Sequence, residues 1–155
     1  LVNGCTRLQP CVMLIGQAAG AAAALCAGRG VEPRALEIRA LQAALLDAKC
    51  MMMPFRDLAP WDPDFAAIQR VALAGALRGE VLPDSWSDNR ILIHPEALIE
   101  PAEAAECARR AAGGAKEAAG KIPREAIKTR QLARLLDSEF DPFRRLPVNI
   151  RGASA

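Results

Sequence analysis

The residues that could do chemistry lie near the start of the chain, where a segment rich in glycine and alanine follows Arg7. From Gly16 to Ala24 the sequence reads Gly-Gln-Ala-Ala-Gly-Ala-Ala-Ala-Ala. Side chains this small let a helix lie close to another backbone or to a flat ligand. The first backbone N–H groups of a helix have no partner within it and carry partial positive charge. A helix that begins near Gly16 would therefore suit an anionic group such as a phosphate.

The residues on either side predict how this helix is positioned. Residues 12–15 are apolar, and we predict a short buried strand there that turns at Gly16 into a helix over residues 17–27. Gly28 and Gly30 supply the residues that end such a helix. The predicted turn leaves the amide end of the helix free for a ligand.

A second helix follows the first. Pro33 suits its first turn, and the apolar residues Ile38, Leu41 and Leu45 recur at spacings of three and four. We expect this stripe to pack against the first helix. The first domain is predicted to end near Met53, before a linker over residues 54–64 that contains three prolines.

Composition favours helices for the rest of the chain. Hydrophobic residues make up 52% of the sequence, which is typical of a folded protein, and few of them are aromatic. Alanine and leucine dominate, and they favour helix over sheet, so we predict a mainly α chain. Beyond the linker we predict a helical module over residues 65–143 and a tail over 144–155. Its predicted parts are helices at 65–75, 100–112 and 129–139 and a loop through Gly79, Pro83 and Trp86.

Two segments of this module are similar to each other. Pro95-Glu-Ala-Leu-Ile99 and Pro123-Arg-Glu-Ala-Ile127 align without a gap at a spacing of 28 residues. A period of that size is typical of a repeated helical unit.

The first third of the chain resembles the FAD-dependent oxidoreductase family. Members end their flavin domain with an arginine, a proline and a methionine before Gly-Gln-Ala-Ala-Gly, an alanine run and a Gly-Val-x-Pro-Arg turn. The resemblance covers about residues 3–50, and the joined pattern carries it rather than any single motif. The matching positions are Arg7, Pro10, Met13 and residues 16–20, 22–25 and 30–34.

The resemblance implies FAD as the cofactor. It implies contacts to the isoalloxazine end of FAD from Ile15, Gly16, Gln17 and Ala18, with Arg7 on the substrate side. Together with the composition, it predicts a mainly α fold made of the C-terminal helices of a flavoprotein FAD domain plus a small helical module. The first domain, residues 1–53, would then be the C-terminal segment of the FAD-binding domain.

The family pattern is incomplete in this chain. No G-x-G-x-x-G fingerprint follows a strand, so the ADP half of FAD would be bound by an upstream FAD-binding domain of the same protein. Because hydride chemistry belongs to the flavin, the substrate is expected to be a small molecule of unknown identity. The sequence indicates no catalytic residues, and we expect this segment alone to be inactive.

The helical module resembles a degenerate S-layer homology repeat. Such repeats begin with Phe-x-Asp, as at Phe55-Arg-Asp57, and end with a Thr-Arg-Ala-Glu-like helix start, as at Thr129-Arg130-Gln131. Cell-wall anchors usually carry three repeats, whereas this chain holds one and a half at most. A packing or dimerisation module is therefore favoured over wall binding, and a homo-oligomer is left open. The alternative function for the chain is a helical binding module without catalytic activity of its own.

Charge and cysteine usage exclude other classes. The chain has 20 basic and 18 acidic residues, interspersed, so no positive face favours nucleic acid. The five cysteines form no Cys-x-x-Cys pair, so neither a metal site nor a disulfide framework is expected. The single histidine, His94, is interpreted as structural rather than catalytic.

A small membrane-anchored protein is the third hypothesis, and it rests on one uncharged stretch alone. Residues 8–28 contain no charge, which is near the length of a membrane helix. Pro10, Gln17 and the long alanine and glycine run argue against it, because membrane helices are richer in large apolar residues. The chain begins at Leu1 without a secretory signal, so we expect it to start within a larger protein, and its localisation stays unknown.

Overall fold

The computed structural model describes residues 9–85 and 88–146. Six α-helices and four short strands lie in these residues, which confirms the prediction of a mainly α chain. The chain divides into two compact units, Leu1–Ala48 and Lys49–Ala155. The predicted bounds of the flavin segment, the linker, the helical module and the tail stay predictions. Arg7, Trp86 and residues 147–155 lie outside the described residues.

The first unit is a pair of helices. Helix α1 spans Gln9–Arg29 and helix α2 spans Ile38–Asp47, and a 3-10 turn at Pro33–Ala35 precedes α2. α1 ends before Gly30, whose φ of +64° is the left-handed conformation that glycine adopts without strain. The two helices are in contact, as predicted, and Leu45 of the predicted stripe is buried, whereas Ile38 is 42% exposed.

The predicted strand at residues 12–15 and its turn at Gly16 are wrong, because α1 runs through both without interruption. A single glycine costs a helix only about 1 kcal/mol relative to alanine, so Gly16 does not force a break. A strand also needs a neighbouring strand to satisfy its backbone. The described part of the first unit contains no strand, and the helix satisfies the same groups internally.

The second unit is built on helices whose apolar faces share one core. The three helices predicted beyond the linker are confirmed as α3 (Phe65–Leu73), α4 (Pro101–Ala111) and α5 (Thr129–Phe140). Helix α5 contacts both of the others. The largest side chains with less than 2% of their surface exposed include Phe55, Phe65, Ile68, Leu132 and Leu136. The helices are α3 at Phe65–Leu73, α4 at Pro101–Ala111, α5 at Thr129–Phe140 and the short α6 at Pro142–Arg145, and a 3-10 helix spans Lys116–Lys121.

A β-hairpin replaces the predicted loop after α3. Strand β1 spans Glu80–Ser85 and pairs antiparallel with β2 at Asp88–Leu92. On its other side β2 accepts a hydrogen bond at the carbonyl of Ile91 from the N–H of Arg56, at 2.9 Å. Thus β1 is the edge strand, where its Pro83 removes no necessary donor. Gly79 and Pro83 suggested a loop, but both are compatible with an edge strand and the residue before it. The predicted loop is therefore wrong.

The two similar segments of the module adopt the same order of elements. Strand β3 at Leu98–Ile99 precedes α4, and β4 at Ile127–Lys128 precedes α5. The strands pair antiparallel with Ile99 opposite Ile127, which are the residues that the 28-residue spacing aligns. The sequence similarity therefore corresponds to two strand-helix units joined through their strands.

A nearly buried carboxylate links α3 to α5. The side chain of Asp64, just before α3, is 2% exposed and accepts hydrogen bonds from Arg134 and, at 2.8 Å, from Arg130. A second pair, Arg70 with Asp137, joins the same helices at 2.5 Å. Both pairs fix how the polar edges of α3 and α5 align, since a buried charge is stable only when paired.

Candidate functional site

The four residues predicted to contact a cofactor lie on the middle of α1. Ile15, Gly16 and Gln17 are exposed, and Ala18 is half-buried. Successive helix residues are about 100° apart, so four consecutive side chains point around the helix rather than to one side. The structure therefore brings them together on one element without placing them all on one face. Their role as cofactor contacts stays a prediction, as does that of Arg7.

The amide groups of these residues are not free. Because α1 already runs at Gln9, the N–H groups of Gly16, Gln17 and Ala18 lie in the helix interior and bond to carbonyls four residues earlier. The prediction of an electropositive helix end at residue 16 is therefore wrong. Any contact with a ligand here is made by the flank of the helix, through shape rather than through unpaired donors.

One flank of α1 is almost free of side chains. Gly16, Gly20, Ala23 and Ala27 recur at spacings of four and three, and all four are exposed. A Cβ atom added at Gly16 or Gly20 would meet nothing within 4 Å. We call these four residues the small-residue face. It offers close approach to a flat group and no acid or base.

The opposite side of α1 faces the rest of the first unit. Ala18, Ala22 and Leu25 are half-buried and Cys26 is 7% exposed, as expected for the side that contacts α2. This side supports the helix, and the small-residue face is left open.

The N-terminal half of α1 carries large apolar side chains. Val12, Leu14 and Ile15 are between 52% and 59% exposed and Met13 is 75% exposed. A cleft of about 480 Å³ lies beside Pro10, Met13, Leu14 and Gln17. Apolar surface of this kind on a helix is typical of a segment that another element or a ligand covers.

The same helix meets the length and composition criteria for a membrane span. α1 is the one helix within residues 9–85 and 88–146 that does so, and core helices of soluble proteins and signal sequences pass the same criteria. Only 6% of its apolar window is buried. The expectation of no membrane span stays a prediction.

A second polar cluster surrounds His94 in the other unit. Its backbone has φ of +49°, and Asp57 accepts the N–H groups of Ile93 and His94 at 2.9 and 2.7 Å. The His94 Nε2 atom lies 2.8 Å from a carboxylate oxygen of Glu80. The cluster fixes a strained turn, which agrees with the structural interpretation of His94. The sequence signal for Asp57 was the Phe-x-Asp start of the repeat.

Within the described residues no group of three or more His, Cys, Asp or Glu side chains could hold a metal ion. The four cysteines described, at 11, 26, 50 and 107, are free thiols. Burial raises the pKa of Cys107, and that lowers its reactivity at neutral pH. The described residues thus offer a surface for contact on α1.

Comparison with known proteins finds a similarity in the first unit. Residues 1–45 match the family described as FAD dependent oxidoreductase. No curated protein and no solved structure is significantly similar to the chain. The first unit is therefore similar to a portion of the FAD-dependent oxidoreductases, and the match includes the whole of α1.

Proposed function

We propose that this chain is the C-terminal part of an FAD-dependent oxidoreductase in which the small-residue face of α1 lies against the isoalloxazine end of FAD. The single observation that carries the proposal is the coincidence of two features on one helix. The family match spans α1, and the exposed flank of α1 has no side chain larger than a methyl group at Gly16, Gly20, Ala23 or Ala27.

The fit of a flavin to this helix rests on space and polarity. A flat aromatic ring system needs an apolar surface that it can approach closely, and Gly16 and Gly20 leave open space where a side chain would begin. Met13 and Gln17 border the adjacent cleft and would flank the ring edge. Bound FAD supplies the hydride-transfer chemistry, and the helix orients the cofactor and keeps water from that side.

Binding of the rest of the cofactor falls to other residues. This chain has no dinucleotide fingerprint, so the ADP half requires an upstream domain of the same protein. Of the predicted contacts, Gly16 lies on the small-residue face, Ile15 and Gln17 lie on either side of it, and Ala18 lies on the supported side. We therefore propose Gly16 and Gln17 as the nearest contacts and a substrate-side role for Arg7.

The test is Gly16→Val in the intact flavoprotein, which places a branched side chain on the small-residue face. Valine forms helix at least as well as glycine, so α1 should persist. FAD should bind about tenfold more weakly, because overpacking at a close contact costs about 1–3 kcal/mol. The measurement is flavin absorbance per polypeptide after gel filtration, with far-UV circular dichroism as the check on folding.

A matched control uses the same substitution elsewhere on the helix. Gly28→Val lies on α1, also meets open space, and is about 120° around the helix from Gly16. It should retain the parental flavin content. Equal flavin content in Gly16→Val and Gly28→Val would contradict the proposed contact.

We also propose, as a second function, that residues 65–143 form an interaction module of the S-layer homology kind. The observation that favours it is the pair of strand-helix units whose strands meet at Ile99 and Ile127. Flavin binding should not require this module. Deleting residues 65–143 from the intact protein should leave flavin content unchanged while abolishing co-sedimentation with insoluble cell-wall polymer or self-association. Loss of flavin on deletion, or neither kind of association in the parent, would contradict it.

A further inference from the structure

A cleft in the second unit combines an apolar floor with positive charge. It lies between the turn after α3 and the β1–β2 hairpin and has a volume of about 650 Å³, within the range of small-molecule sites. Buried Phe55 and Leu77 line it, and Val81, which is 60% exposed, stands at its rim. Its charged lining residues are Arg78 and Arg110. We call it the arginine cleft.

The guanidinium group of Arg110 has hydrogen-bond donors without a close partner. Its side chain is 25% exposed, and its Nε atom is shielded from solvent without a hydrogen-bond partner within the described structure. The nearest carboxylate, Glu106, lies 3.4 Å away and is held more closely by Arg109 at 2.7 and 2.8 Å. The other contact of its guanidinium is the Cys107 sulfur at 3.8 Å. A half-buried cation with such weak partners gains from an anion.

Arg78 is exposed and makes no hydrogen bond or ion pair with any residue that the structure describes. Arg78 thus has no ionic partner in the described structure and Arg110 has only the 3.4 Å contact with Glu106, so together the two guanidinium groups attract an anion. Each can bind a carboxylate or phosphate in a bidentate manner. Among the described residues, no acidic side chain lines this cleft to compete for them.

The acidic groups nearby face a different cleft. Glu80, Glu103 and His94 line a cleft of about 340 Å³ that shares Arg78 and Arg110 with the arginine cleft. Glu80 contacts His94 at 2.8 Å, and neither Glu80 nor Glu103 forms an ion pair with Arg78 or Arg110 in the described structure. The apolar floor and the positive charge therefore coincide at the arginine cleft.

We propose that the arginine cleft binds a small single-chain amphiphile with an anionic head group. The hydrocarbon part would lie over Phe55 and Leu77 beneath Val81, and the head group would be held by Arg78 and Arg110. This inference concerns Lys49–Ala155 and does not rest on flavin binding.

The experiment titrates the full chain with decanoate and with decyl phosphate by isothermal calorimetry, below their micelle concentrations. Saturable one-to-one binding of either ligand supports the proposal, and the preferred ligand identifies the head group. Decanol and decyltrimethylammonium are the matched probes without negative charge. Absence of binding by both anions, or equal binding of decanol or the cation, would overturn the proposal.

Variants locate the site. Arg78→Gln and Arg110→Gln should each weaken binding about tenfold, the scale of a charge-assisted hydrogen bond. Arg124→Gln removes an exposed arginine that lies outside the cleft and should bind as the parent does. Arg78 is exposed, so its variant should fold even if Arg110→Gln does not. As an independent variant, Ala74→Leu fills the cleft without changing charge and should also weaken binding. Unchanged affinity in both Arg78→Gln and Ala74→Leu would place the ligand elsewhere and refute the assignment.

Discussion

Helices α1 and α5 show that apolar content and burial are different properties. α1 has no charged residue before Arg29, yet Cys26 is its one buried residue among 21. α5 carries four charged residues in 12 positions, and five of its residues are buried. The apolar helix is the more exposed of the two.

The order of residues explains the difference. In α5, Leu132, Leu136 and Phe140 are four apart and form one face, so a single packing surface covers them all. In α1 the apolar residues surround the helix, and α2 covers one side only. A folded core needs a face, whereas an open apolar helix needs a further partner. The following predictions test this contrast in decreasing order of expected effect.

The largest effect is expected at Asp64, which holds α5 by charge. Asp64→Asn leaves Arg130 and Arg134 without their shared carboxylate in a site where the parent side chain is 2% exposed. Breaking one side of a buried ion pair should lower the free energy of unfolding at pH 7 by about 3–5 kcal/mol, measured by urea denaturation. Glu106→Gln, which breaks an exposed pair with Arg109, should have far less effect.

The stability difference between the parent and Asp64→Asn should depend on pH. The hydrogen bond from Arg134, aided by the charges of both arginines, lowers the pKa of Asp64 although burial acts in the opposite direction. A carboxyl with a lower pKa in the folded state stabilises the fold above its unfolded pKa of about 3.9 and loses that contribution as the pH falls through the folded value. The parent and Asp64→Asn should therefore converge in acid. A constant difference between neutral and acid pH would contradict this.

The same leucine-to-alanine substitution should cost much more stability in α5 than in α1. Leu132→Ala in α5 removes a side chain with none of its surface exposed and should cost about 2–5 kcal/mol of unfolding free energy. Leu14→Ala in α1 removes one that is 59% exposed and should change it by less than about 0.5 kcal/mol. Thermal or urea denaturation of both variants measures the difference. Similar losses would show that Leu14 is covered.

Two glycine-to-alanine substitutions should show a smaller difference in stability. A Cβ at Gly79 would lie 2.7 Å from a Phe55 ring carbon and 2.8 Å from the Ile91 Cγ2 atom, so Gly79→Ala should cost about 1–3 kcal/mol through overpacking. Gly120→Ala meets no atom within 4 Å and should be nearly neutral. If both variants unfold at the parental urea concentration, the close approach at Gly79 is refuted.

The smallest effect is expected in α1 itself. Gly20→Ala adds a methyl group in open space and removes a poor helix former, so α1 should gain up to about 1 kcal/mol of local stability. Hydrogen exchange of the α1 amides in the chain without flavin measures this gain. Unchanged or faster exchange would indicate that the helix is already fixed by contacts along the small-residue face.

The helices of the second unit could be predicted because their signals are local. Phe65, Ile68 and Val71 lie on one face of α3, and the spacing in the sequence shows this directly. The spacing predicts no role for Gln69 on the same helix. It is fully buried and bonds the backbone of Met52 and Met53 across the linker, a role that depends on a chain path which composition does not encode.

The candidate site was predicted in part. The resemblance selected residues 15–18, and the family match covers them, but the physical reason given for them failed with the strand and the turn at Gly16. A strand needs backbone partners that the adjacent sequence does not name. The arginine cleft was missed because Arg78 and Arg110 are distant in sequence and carry no motif.

By itself the sequence determined the helical class, the positions of α2 to α5 and the likeness of the first unit to flavoprotein oxidoreductases. These follow from spacing, from turn residues and from a motif, all of which involve residues within a few turns of one another. Tertiary structure alone decided that β1 pairs with β2, that Ile99 meets Ile127 and that Asp64 lies between two arginines about seventy positions away. Such contacts depend on where distant backbones meet, and the energy of a buried charge or a strand edge becomes defined only there.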